Sequence, residues 1–142
     1  MCCLIIPIIF TLICVSSTYG GDKMGGGRFV GGQCEYKEYE GRAEIISITR
    51  IARSIHDPYE REEVKFKFIP YREIQESFAR TEGREFFLML SNSSYPGPKF
   101  LERYGIDVGK VFDCHLKVIS RGTCTPTIFE FPSIRLDDYS VN

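Results

Sequence analysis

The most constraining feature of this sequence is a stretch in which apolar and charged side chains alternate strictly. Val64, Phe66 and Phe68 alternate with Lys65 and Lys67. Because successive side chains of an extended strand point to opposite faces, the three apolar residues share one face and the two lysines share the other. The pattern therefore predicts a strand with one buried and one solvent-facing side, which is typical of an antiparallel sheet.

Four other segments have the composition of strands. They are rich in β-branched and aromatic residues and are separated by glycine, proline and other turn formers. In chain order they are residues 41–52, 84–91, 110–120 and 125–131. The segment 84–91 has apolar residues on both faces, so it must be covered on both sides or must bind something. The sequence thus predicts a sheet of five strands.

Two segments between the strands predict short helices. In residues 71–82, Ile74 and Phe78 lie four positions apart and Gly83 follows, which is the pattern of an amphipathic helix with a glycine cap. The segment after Pro98 predicts a second helix, because proline suits the first turn.

The predicted architecture is mainly β with two short helices. One helix falls between the third and fourth of the five strands, and this is the layout of the OB-fold barrel. We therefore expect a small five-stranded OB-like barrel, with a small β-sandwich or an α+β meander as the alternatives. The similarity is to an architecture, which hosts many functions and does not by itself identify one.

The first residues resemble a secretory signal peptide. Residues 4–15 form an uncharged apolar run, and small and polar residues then lead to Gly20. A membrane span needs about 20 apolar residues, so the pattern instead predicts cleavage after Gly20 and export to the periplasm or the extracellular space. No lysine or arginine precedes the run, although signal peptides usually carry one, and a start at Met24 would leave the chain in the cytosol.

The expected organisation has four parts, because 142 residues suffice for one domain. Residues 1–20 are the signal peptide, residues 21–40 a flexible glycine-rich leader, residues 41–136 a single OB-like β-barrel domain and residues 137–142 a C-terminal tail. No stable membrane span is expected in the mature chain.

Three cysteines remain once the signal peptide is removed, namely Cys34, Cys114 and Cys124. In an oxidising compartment they permit one disulfide in any of three pairings. In an OB arrangement the first strand pairs with the fourth, and this brings the segment before Gly41 close to the end of the fourth strand. We therefore predict a Cys34–Cys124 bridge and a buried thiol at Cys114.

The sequence offers little for catalysis or metal binding. It has no CxxC, GxSxG or HExxH motif, and its two histidines, His56 and His115, lie far apart. Its paired acidic residues are flanked by lysine or arginine, which is typical of a solvated surface. We expect no metal, no cofactor and no catalytic residue, and a small secreted hydrolase with an unrecognised site is the alternative.

Because the sequence predicts neither catalysis nor metal binding, its remaining candidate functional residues are those that could form a binding surface. With 18 basic against 19 acidic residues the formal net charge is -1, so a nucleic-acid partner is not expected. Lys65 and Lys67 on the second strand and Phe87 and Met89 on the third are predicted to share the outer face, through which OB-like barrels commonly bind. The expected function is a non-catalytic secreted binding module for a protein or an oligosaccharide. In the alternative interpretation, the 71–82 helix covers Phe87 and Met89, and this face is part of the core.

Overall fold

The structure, a computed structural model, describes residues 33–53, 55 and 57–141. The predicted signal peptide, residues 21–32 of the predicted leader, and His56 lie outside the described residues. Within them the chain forms one sheet of five antiparallel strands that is curled into a half-barrel. The mainly β, barrel-like fold that the sequence predicts is confirmed.

The elements follow one another in the predicted order, with an α-helix between the third and fourth strands. The strands are β1 (Glu35–Ile51), β2 (Arg61–Pro70), β3 (Phe86–Phe87), β4 (Val111–Arg121) and β5 (Thr127–Glu130). The α-helix is α1 (Pro98–Tyr104), and two 3₁₀ turns are formed by Ser77–Ala79 and Tyr139–Val141. The order across the sheet is β3-β2-β1-β4-β5, so β1 is central and β3 and β5 are the edges.

The central strand β1 begins earlier than the sequence predicts. It starts at Glu35, so the residues before Gly41 that were expected in the leader belong to the sheet and pair with β4. Their side chains do not alternate as those of a strand do, and it is the pairing with β4 and the disulfide at Cys34 that hold them extended. Gly41 is required where the β1–β2 ladder begins, because an added Cβ would lie 2.5 Å from the Ile69 carbonyl oxygen and 2.7 Å from the Phe68 ring.

The inner side of β2 is the one that the alternation predicts. Val64, Phe66 and Phe68 are buried, whereas Lys65 is half-buried and Lys67 is exposed. Burial of three large apolar side chains from one strand removes enough surface from water to stabilise the sheet by several kcal/mol, at about 1.5–3 kcal/mol for each.

An aromatic cluster around Phe66 joins the two edges of the half-barrel from the inside. The Phe66 ring centre lies 5.8 Å from that of Phe86, 5.1 Å from that of Phe129 and 5.4 Å from that of Phe131. The rings of Phe86 on β3 and Phe129 on β5 also meet directly, with their centres 4.6 Å apart. Side chains, rather than backbone hydrogen bonds, therefore connect the two edge strands in the described chain.

The predicted helix over residues 71–82 does not form. Only Ser77–Ala79 turn helically, and Glu76 before them is extended, with φ -76° and ψ 111°. The reason is a contact with β1, because the Tyr39 hydroxyl accepts a 3.2 Å hydrogen bond from the Gln75 N–H and donates one of 2.6 Å to Glu76. These bonds hold the segment extended along the sheet, and tertiary contact overrides a weak helical preference.

Glu76 is kept in its charged form by this contact. Lys37 and Tyr39 each donate a 2.6 Å hydrogen bond to its carboxylate, and these bonds lower the pKa of Glu76 from 4.5 to about 2. Because the folded-state pKa lies below the unfolded value, the contact contributes stability above about pH 4.5 that is lost as the pH falls towards 2.

We expect Glu76→Gln to lower the free energy of unfolding by about 1–2 kcal/mol at neutral pH, because two hydrogen bonds to a charge are weakened. The difference from the wild type is expected to shrink below pH 4.5, where the unfolded carboxylate of the wild type becomes protonated. Urea unfolding at neutral and at acidic pH measures both values. Glu73→Gln, an exposed position of the same segment, is the matched control and is expected to change little. A loss that is independent of pH would contradict this account.

The third strand is shorter than the sequence predicts. Only Phe86 and Phe87 form the β2–β3 ladder, and the Leu88 N–H donates one more hydrogen bond of 2.9 Å to the Val64 carbonyl. Ser93 then takes a left-handed conformation with φ 63°, and the polar residues around it turn the chain.

Cys34 and Cys124 form the predicted disulfide, with their Cα atoms 6.2 Å apart. Gly122 is required beside it, because its φ is 102° and an added Cβ would lie 2.6 Å from Cys34 Sγ. Cys114 is a buried free thiol on β4, as predicted. Burial raises its pKa to about 12, so it does not supply the thiolate that a nucleophile needs.

The C-terminal segment that the sequence assigns to a tail is attached to α1. Tyr104 on the helix donates a 2.9 Å hydrogen bond to Asp138, and Arg103 forms an ion pair of 3.1 Å with the same carboxylate. The Ser140 hydroxyl and these contacts lower the pKa of Asp138, so the carboxylate is charged at neutral pH.

Candidate ligand-binding surface

Lys65 and Phe87 lie side by side on the outer face of the sheet. They are cross-strand partners in the β2–β3 ladder, and the Lys65 ammonium group lies 5.6 Å from the centre of the Phe87 ring. Phe87 keeps 47% of its surface exposed, although phenylalanine is usually buried. The structure thus brings together two of the four residues that the sequence assigns to the binding face.

Phe87 is not covered by the segment that follows β2. Its ring instead contacts Tyr95 edge to face, with the ring centres 6.3 Å apart. Phe78, which the sequence places on the covering helix, is itself 54% exposed. The alternative interpretation, in which a 71–82 helix buries Phe87 within the core, is therefore wrong, because that helix does not form.

The other two predicted residues border two separate cavities. Met89 is half-buried and lines a groove beside β5. Lys67 is exposed and borders a cavity of about 240 Å³ together with Thr81 and Arg84. The Thr81 hydroxyl is buried and finds no hydrogen-bond partner among the described residues. The four residues therefore span a broad surface rather than one compact site.

The positive charge of Lys65 beside Phe87 is offset by two nearby carboxylates. The Lys65 Nζ atom lies 3.9 Å from the Glu63 carboxylate and 3.7 Å from that of Glu85. Partly exposed ion pairs of this kind add little stability, but they offset the charge that an incoming anion would meet. The charge balance argues against a polyanionic ligand and favours a neutral partner or one of mixed charge.

The groove beside Met89 has a volume of about 540 Å³ and lies between the end of β3 and β5. Ligand-binding clefts usually measure about 300–1,000 Å³, so this volume falls within their range. Most of the lining is apolar, and it consists of Met89, Ile128, Phe129, Phe131, Pro132, Ile134 and Leu136. Ser91, His115, Glu130, Arg135 and Asp137 complete it.

The ionisable side chains of the groove rim already have polar partners in the described chain. The pairs are Glu130 with Lys117 at 2.7 Å, His115 Nδ1 with Glu38 at 2.7 Å, and Arg135 with Asp137 at 3.4 Å. The groove therefore combines an apolar floor with a rim whose charges are compensated, which suits an uncharged occupant.

One acidic residue departs from the solvated surface that the sequence indicates. Glu62 is buried on β2 and lies 3.7 Å from Arg50, its ion-pair partner on β1.

Among residues 33–53, 55 and 57–141, no group of three or more side chains is arranged to hold a metal ion. In the same part of the chain, no helix is long and apolar enough to cross a membrane.

Sequence reasoning missed the groove because its two sides come from distant parts of the chain. Met89 belongs to the predicted third strand and Phe129 to the fifth, and only the curl of the sheet places them together. The available signal was the segment 84–91, whose second apolar face needed a partner.

Comparison of the chain with protein-family models, with curated proteins and with solved structures found no match.

Proposed function

We propose that this protein is an exported, non-catalytic binding module whose partner is another protein. The proposal is carried by the exposure of Phe87 on the outer face of the sheet. Leaving an aromatic ring half in water does not help folding, and exposed apolar surface commonly marks a contact site. The proposed contact surface comprises Lys65, Lys67, Phe87 and Met89.

The proposed export to the periplasm or the extracellular space is supported by two features. The apolar run at residues 4–15 has the pattern of a signal peptide. The Cys34–Cys124 disulfide persists in oxidising compartments and would be unusual in a reducing cytosol.

A protein partner is favoured over an oligosaccharide by the chemistry around Phe87. Aromatic residues and methionine are enriched at protein interfaces, and both occur here. The charged groups nearest the ring, Lys65, Glu63 and Glu85, already interact with one another. A sugar would instead need uncommitted hydrogen-bonding groups around the aromatic ring.

We expect Phe87→Ala to weaken partner binding at least about tenfold, because central aromatic anchors contribute most of the energy of an interface. Because the ring is exposed, the free energy of unfolding is expected to change by less than about 1 kcal/mol. The affinity of wild type and variant for a protein recovered from the native exported fraction is compared by biolayer interferometry. Phe78→Ala, an exposed phenylalanine in the 3₁₀ turn, is the matched control and is expected to bind normally.

Two results would contradict this assignment. Equal loss of binding in both phenylalanine variants would show that the surface around Phe87 has no special role. A stability loss of about 3 kcal/mol in Phe87→Ala would assign the ring to the core. An oligosaccharide that binds the wild type and not Phe87→Ala would keep the surface but replace the protein partner.

A second candidate function, a small hydrolase, is favoured by one arrangement in the groove. His115 Nδ1 lies 2.7 Å from a Glu38 carboxylate oxygen, and Ser91 lines the same groove. A histidine oriented by a carboxylate can act as the general base for a serine nucleophile. Turnover of chromogenic esters or peptides that is abolished by Ser91→Ala and by His115→Ala would establish this function. Turnover that survives both changes would exclude these two residues as its site, and absence of turnover by the wild type would contradict the function itself.

A further inference from the structure

The outer edge of β5 presents backbone groups that β4 does not use. The Ile119 N–H donates a 2.9 Å hydrogen bond to the Pro126 carbonyl. In an antiparallel ladder the residues that face the neighbouring strand alternate along the chain, so the β4–β5 register turns the backbone groups of Thr127 and Phe129 away from β4. In the described chain, neither residue makes a backbone hydrogen bond on that side.

The end of β3 presents a second row of this kind. The Leu88 N–H donates to the Val64 carbonyl, and the β2–β3 register then turns the backbone groups of Phe87 and Met89 away from β2. The residues that the structure describes supply no backbone partner for Phe87 and Met89, whereas the next residue of this row, Ser91, donates its N–H to the Leu136 carbonyl at 2.9 Å. Both edges run in the same direction, since each is related to β1 by two antiparallel pairings.

We infer that the groove between these edges binds an extended, apolar segment of a partner protein, which adds to β5 as a further strand. The inference rests on the proposed function and names the mode of binding. Unpaired N–H and C=O groups of a strand edge are best satisfied by another main chain. A single segment that runs antiparallel to β5 is also antiparallel to β3, since the two edges run in the same direction.

The side chains of the groove indicate what this segment carries. Its floor includes Phe129, Phe131 and Ile134, and its charged rim is internally paired, so apolar side chains are favoured at alternate positions. A second copy of the domain, as the alternative occupant, would give edge protection that grows with protein concentration alone.

The test measures amide hydrogen exchange by NMR on the full chain. The probes are blocked heptapeptides in which valine, isoleucine or phenylalanine alternates with threonine. In the free protein the amides of Thr127 and Phe129 are expected to exchange fast, whereas those of Ile128 and Glu130 are protected by β4. A bound peptide is expected to slow exchange at Thr127 and Phe129 by at least about tenfold. The same peptides with alternate amides methylated are expected to give no protection, because they lack the donors.

A matched pair of variants tests the position of the peptide. Met89→Lys places a charge in the groove and is expected to weaken peptide binding at least about tenfold. Val111→Lys adds the same charge at an exposed position outside the groove and is expected to have no effect.

Three results would overturn the inference. They are protection of Thr127 and Phe129 in the free monomer, protection that grows with protein concentration alone, and the absence of protection with every peptide. If no peptide protects the edge while Phe87→Ala still abolishes binding of the natural partner, strand addition is wrong and the proposed function stands. If peptides bind the edge but the affinity of the natural partner is unchanged by Phe87→Ala, the contact surface assigned under the proposed function is wrong.

Discussion

Removal of the disulfide is expected to cost about 4–5 kcal/mol of unfolding free energy, from the loop-closure entropy that the bridge removes from the unfolded chain. The two cysteines are 90 positions apart, so the closed loop contains nearly all of the sheet. Domains of this size are stable by about 5–15 kcal/mol in total. The double variant Cys34→Ala/Cys124→Ala is therefore expected to approach the limit of stability.

Urea unfolding with and without a reducing agent measures this effect. Reduction of the wild type is expected to lower stability as far as the double substitution does, and the double variant is expected to be insensitive to the reductant. A decrease of less than about 1 kcal/mol would show that the bridge joins segments already held together by the β1–β4 pairing.

Phe66→Ala is expected to cost about 3–5 kcal/mol, because truncating a fully buried phenylalanine leaves a cavity that a packed core cannot fill. Phe66 is 0% exposed, and its ring contacts Phe86, Phe129 and Phe131. Phe87→Ala is the matched control, since it makes the same substitution at an exposed ring and is expected to cost less than about 1 kcal/mol.

The location of the destabilisation caused by Phe66→Ala can be measured as well. The aromatic cluster connects β3 and β5, which no ladder joins in the described chain. Amide exchange is therefore expected to accelerate more in these two strands than in the central β1. Uniform acceleration across the sheet would show that the cluster does not hold the edges specifically.

Local sequence pattern predicted those elements in which side-chain periodicity and burial agree. The alternation of Val64, Phe66 and Phe68 predicts β2 and its buried face, and both are present. Proline at the start and glycine at the end predict α1, and Gly105 indeed ends it in the left-handed conformation. The topology inferred from the order of these elements was sufficient to predict the Cys34–Cys124 bridge.

The local sequence pattern gave a wrong prediction where a contact with a distant part of the chain overrides the local conformational preference. Residues 71–82 have helical spacing, yet Tyr39 on β1 holds Gln75 and Glu76 extended. The polar start of β1 has no strand pattern, yet its pairing with β4 makes residues from Glu35 onward part of the sheet. Neither contact can be read from neighbouring residues, because each joins positions far apart in the chain.

The binding surface, too, was predicted in part from the sequence and decided in part by the tertiary structure. Alternation placed Lys65 opposite the buried face of β2, and the apolar excess of the third strand indicated that Phe87 and Met89 needed a further partner. The sequence by itself thus determined the number and order of the strands, the buried face of β2, the barrel-like class and the pairing of the cysteines, because these depend on periodicity and on the order of elements. Only the tertiary structure decided that Phe87 is exposed beside Tyr95 and that β3 and β5 leave a groove between their unpaired edges. Both depend on how far the sheet curls, and that is set by the packing of Phe66, Phe86 and Phe129 in the interior.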